Sequence, residues 1–162
     1  MFGNAEEAEI IGEWDMLSDP IPEGFEYFNE GAQRIVVRGQ SGILYKRDNG
    51  GEPDANLMEF DNYNFCSVVP IKGWRVPQTG LFVIGGYQPV IAMECVIGYR
   101  DVHCDRFKFG YIAYNEDCTC ELDPCSAHEW EKPMSLWYIQ DLSYENVLIE
   151  DDGTRVLVDM VS

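Results

Sequence analysis

The sequence predicts a mainly β protein, an antiparallel β-sandwich or barrel preceded by a short N-terminal helix. Three observations carry that expectation. "RFKFGYIAY" alternates with period two, placing Phe107, Phe109, Tyr111 and Ala113 on one side and Arg106 and Lys108 on the other. "GLFVIGG" and "PVIAMECVIGYR" are apolar on both faces, as central strands are. Asn49-Gly50 and Asp152-Gly153 are dipeptides favoured in tight hairpin turns. An aromatic fraction of 13% agrees with a pleated, packed architecture.

Taken in order, residues 4–17 carry the helix. Asn4 can cap it, Glu6 and Glu7 suit its positive end, and Ile10, Trp14 and Leu17 recur at helical spacing. These three form the expected partner-facing stripe. "DPIPEG" stops the pattern, so residues 1–24 read as helix and linker and 25–162 as a single β-rich domain. "QRIVVRG" and "GILYKR" read as strands around a Gly39 to Gly42 turn. Glu52 to Gly80, punctuated by Pro53, Pro70 and Pro77, reads as loops and brief edge strands. "NVLIEDDGTRVLV" is the clearest hairpin.

Charge narrows the function classes. Eleven Lys and Arg stand against 29 Asp and Glu, for a formal charge of −18. Such a surface repels phosphate backbones and anionic lipid, so direct nucleic-acid or membrane binding is not expected. No apolar stretch has the length of a membrane span, and the N-terminus lacks the basic and apolar regions of a secretory signal. Synthesis in the cytoplasm without a signal peptide is therefore the expected localisation.

"EDCTCELDPCSAHEW" gathers Cys118, Cys120, Cys125 and His128 within eleven residues. Three thiolates and an imidazole can complete a tetrahedral structural zinc site, with Cys104 as an alternative fourth ligand. The eight residues "CTCELDPC" resemble the zinc clip that follows the catalytic domain of many SET methyltransferases. That resemblance implies a metal geometry and no activity. The even cysteine count supports a second reading, disulfides among Cys66, Cys95, Cys104, Cys118, Cys120 and Cys125, with Cys66, Cys95 and Cys104 in or beside strands. Reduced thiols are the third, since a cytosol keeps cysteines reduced. The sequence leaves all three open.

Catalytic signals are sparse. His103 and His128 are the two histidines, and strand alternation turns His103 away from Cys104 toward Asp101 and Asp105. The glycines form no phosphate loop, and "DNGGEPD" lacks the ligand spacing of a calcium loop. Gly12-Glu13-Trp14 is similar to the Gly-x-Trp of lipocalin first strands, which implies a β-barrel small-molecule carrier with Trp14 at its pocket. The expectation is a non-enzymatic, oligomeric interaction subunit of a larger protein assembly, such as a bacteriophage neck, tail, baseplate or capsid accessory. No cofactor is expected beyond one structural zinc. The carrier, and an acidic inhibitor docking on a basic partner, are the alternatives.

Overall fold

The computed structural model describes residues 1–30, 34–48, 54–86, 89–100 and 146–158. The chain is mainly β and divides into two compact units. Met1–Asp61 with Pro77–Cys95 forms the first, and Asn62–Val76 with Val96–Ser162 the second.

In the first unit, helix α1 (Ala5–Glu13) opens the chain. Asn4 caps it, its side chain accepting from the Glu7 amide at 3.1 Å. Asn4→Ala should cost about 1 kcal/mol, readable as a lower urea midpoint at unchanged slope. The helix is shorter than the 4–17 pattern suggests. Trp14 is already extended, with φ −64° and ψ 125°, and its amide donates to the Ile11 carbonyl. The tryptophan packs in the core rather than beside Ile10 and Leu17 on one stripe.

Strands β1 (Glu26–Glu30), β2 (Arg34–Arg38), β3 (Leu44–Asp48), β5 (Thr79–Phe82) and β6 (Val90–Met93), numbered with β4 of the second unit, build a five-stranded sheet. Its order is β1-β2-β3-β6-β5, antiparallel throughout. The β2–β3 hairpin turns where Gly39 and Gly42 predict it. Gly39 donates to the Ile43 carbonyl at 3.0 Å, and Gly42 takes φ +85°, a conformation costly for side chains other than glycine. Register pairs Val37 with Tyr45 and Ala92 with Tyr45. These residues therefore share a face, on which Ala8, Ile11, Trp14, Val37, Tyr45, Val90 and Ala92 form the apolar core.

The segment expected to be irregular contains helix α2 (Ala55–Val68) instead. No Pro or Gly interrupts those fourteen residues, so the backbone was free to coil. The helical period was hidden because its buried positions mix Asn56 and Glu59 with Ala55, Tyr63 and Cys66, while Leu57, Met58 and Phe65 are exposed. A search for apolar periodicity misses a helix whose buried positions include a glutamate. Cys66 therefore sits on a helix and not in or beside a strand.

In the second unit, β4 (Trp74–Arg75), β7 (Tyr99–Arg100), β8 (Val147–Ile149) and β9 (Arg155–Leu157) form a sheet of order β4-β9-β8-β7, with β4 and β9 parallel. The β8–β9 hairpin is the one read from "NVLIEDDGTRVLV": Gly153 takes φ +88°, and Glu150 donates to the Thr154 carbonyl at 2.9 Å. Arg75 clamps Glu150 through Nε at 2.7 Å and Nη2 at 2.9 Å. Among the described residues neither sheet closes on itself into a barrel. The alternating "RFKFGYIAY" and the Asn49-Gly50 turn lie outside the described residues.

Candidate functional site

Most of the chemistry expected from the sequence falls in residues 101–145. Cys104, Cys118, Cys120, Cys125, His103 and His128 lie outside the described residues. Cys66 and Cys95 are free thiols. Burial pushes the Cys66 thiol up to about 11, which keeps it protonated and unreactive near neutrality. Among the described residues, no group of three or more His, Cys, Asp or Glu is placed to hold a metal ion, and no helix is long and apolar enough to cross a membrane.

The expected stripe of Ile10, Trp14 and Leu17 is divided by the fold. Trp14 is 7% exposed, and its indole Nε1 donates to the Asp19 carbonyl at 3.2 Å. Ile10 is 46% exposed and Leu17 99%. Around these two apolar side chains, Glu6, Glu9, Glu13, Asp15 and Asp19 are exposed as well. Residues 1–33 hold nine acids (Glu6, Glu7, Glu9, Glu13, Asp15, Asp19, Glu23, Glu26 and Glu30) and no Lys or Arg. Glu6, Ile10 and Glu13 follow i, i+4, i+7 spacing, one outer face of α1 with an apolar centre and acidic flanks. Glu7 turns inward instead. Its carboxylate accepts from the Tyr45 hydroxyl at 2.9 Å and from the Ser41 hydroxyl, tying the helix to β3 and the turn before it. Burial, with the nearby Glu7 carboxylate, pushes the Tyr45 phenol up to about 12.

The opposite face of the sheet holds a group of buried ions that the sequence did not reveal. Lys46 Nζ donates to Glu59 Oε1 at 2.6 Å, and Arg34 Nη1 donates to Glu59 Oε2. Arg34 also donates to Asn56 Oδ1 at 3.1 Å, while Asn56 Nδ2 donates to the Lys46 carbonyl at 3.0 Å and the Pro89 carbonyl at 2.8 Å. Burial alone would push the Glu59 carboxyl upward. The Lys46 and Arg34 charges, with their hydrogen bonds, outweigh it and hold the carboxyl below the ordinary range.

Asp48 is placed differently. It lies opposite Arg34 across β2 and β3, is 5% exposed, and neither carboxylate oxygen has a hydrogen-bond partner among the described residues. Burial pushes its carboxyl up to about 6, against the pull of Arg34 and with a further push from Asp54. Alternation does place Lys46 and Asp48 on one side of β3. A signal was therefore present: two charged residues at the alternating positions that Leu44 begins. Reading it required knowing that α2 would cover that side.

Comparison with known proteins adds little. No family model matches the chain, and no curated protein matches it. A solved alpha kinase from Entamoeba histolytica shares 16% identity at a TM-score of 0.34, over 57% of this chain and 49% of that one. The chain thus spans about half the length of that structure.

Proposed function

We propose that the chain is a non-enzymatic interaction subunit of a larger protein assembly, of the kind found in viral or bacteriophage particles. The observation that supports this reading is the outer face of α1 and the turn after it. Leu17 is 99% exposed and Ile10 46%, both set among exposed carboxylates, with the Arg47 guanidinium donating to the Ile11 and Trp14 carbonyls at the end of the helix. Water-facing leucine and isoleucine at the centre of a charged patch gain free energy when a partner covers them. The acidic rim selects a basic partner and speeds encounter with it. An acidic inhibitor would use the same surface, with a one-to-one soluble complex in place of a large assembly.

Sedimentation of the chain from its native source tests the proposal. At low salt the chain should travel in a complex far above its own 18.5 kDa. Ile10→Asp with Leu17→Asp should release it with the fold retained, since Leu17 is already in water and Ile10 is about half exposed on the outer face of α1. A wild-type chain that sediments as a monomer at low salt would remove the assembly reading.

A further inference from the structure

We infer that β1 accepts an extended, basic segment of a partner protein as an added strand. The inference deepens the interaction reading and rests on it. β1 is an edge strand, bonded to β2 on one side and bordered by no other strand among the described residues. Glu26, Tyr27, Phe28 and Asn29 are all exposed, so both faces of the strand stand open. β5, at the other edge, differs: Gly80 is buried, and the Phe2 carbonyl lies 1.9 Å from where a Gly80 Cβ would sit.

Natural edge strands are usually blunted by charged side chains, Pro, bulges or coverage, because an open row of backbone groups recruits other strands. β1 carries a glutamate at each end and a bulge but no Lys or Pro, and between the glutamates it shows two adjacent aromatics, Tyr27 at 53% and Phe28 at 51% exposure. The register skips Phe28: Tyr27 lies opposite Val37, and Asn29 opposite Val36. That bulge breaks the alternation and re-aims Phe28. An incoming strand would gain main-chain hydrogen bonds along the edge and apolar contact with the two rings, the strand-addition mode of peptide recognition.

Charge decides the occupant. Exposed Glu23 and Glu26 flank the aromatics, and a second copy of a chain of charge −18 would bring the same acids to the same edge. Like charges placed opposite each other oppose pairing, whereas Lys or Arg on an incoming strand favours it.

The test uses the full chain and a fluorescein-labelled peptide of about nine residues alternating lysine and valine. The control peptide has the same charge and a proline at its centre. Anisotropy should show binding that weakens with salt. It should be roughly ten-fold or more weaker for the proline peptide and for the Tyr27→Ser, Phe28→Ser variant. Equal binding of both peptides, or unchanged binding to the variant, would reduce the effect to general attraction and overturn the inference. If binding survives that variant but is lost with Ile10→Asp and Leu17→Asp, the interaction reading stands and the edge does not. A peptide-free dimer abolished by Tyr27→Ser, Phe28→Ser would put a second copy on β1 and overturn the basic occupant. Absence of binding at low salt would also overturn the edge proposal, while sedimentation judges the assembly reading separately.

Discussion

Glu59→Gln is expected to destabilise the protein by roughly 3–5 kcal/mol, the largest loss among the single changes considered. The carboxylate is fully buried between Lys46 at 4% exposure and Arg34 at 8%. Glutamine keeps the shape but removes the carboxylate that both buried cations share, and weakening the compensation of buried charge is what makes breaking such a group costly. Urea unfolding of the full chain reads the effect as a lower midpoint. Removing all three charges together, as Arg34→Leu, Lys46→Met and Glu59→Leu, should recover most of the loss, because desolvation of the ions disappears with the ions. If Glu59→Gln were neutral, the ion group would not be holding α2 to the sheet. The pH dependence follows the same sign. A carboxyl held below its ordinary value stabilises the fold above the unfolded value of 4.5, and that stability is lost as pH falls through the lowered one.

Asp48→Asn should act in the opposite direction and stabilise the protein at pH 7 by roughly 1–3 kcal/mol. The carboxyl titrates near 6 in the folded chain, against 3.8 when unfolded. Between those values the folded state holds a proton that the unfolded state has released. Stability from this group therefore falls as pH rises through that window, and at neutrality ionised Asp48 is a net cost. Asparagine carries no charge to bury, so its advantage should be present at pH 7 and vanish below about 4. Thermal unfolding of both proteins from pH 4 to 7 checks this, and a variant equally stable at both ends would show that water or a partner group satisfies Asp48.

The hairpins were legible because their causes are local. Gly42 and Gly153 impose their turns through backbone conformations that few other residues adopt. The β1 strand was less legible, since "EYFNE" has no buried side to impose alternation and contains a bulge. The α1 face was partly misread. Ile10, Trp14 and Leu17 fit helical spacing, but the helix ends at Glu13, which frees Trp14 to turn into the core and leaves Leu17 in water.

The sequence by itself determined the β-rich class, the N-terminal helix with its Asn4 cap, the two turns and the acidic character of the surface. Each follows from interactions within a few residues or from composition alone. Tertiary structure decided that residues 55–68 form a helix, that Glu59 is buried between Lys46 and Arg34, and that β1 stands at a sheet edge among the described strands. The ion group depends on partners far apart in sequence, thirteen positions for Lys46 and Glu59 and twenty-five for Arg34 and Glu59. A buried glutamate is stabilised when matching charges meet it, and that pairing is a property of the folded chain.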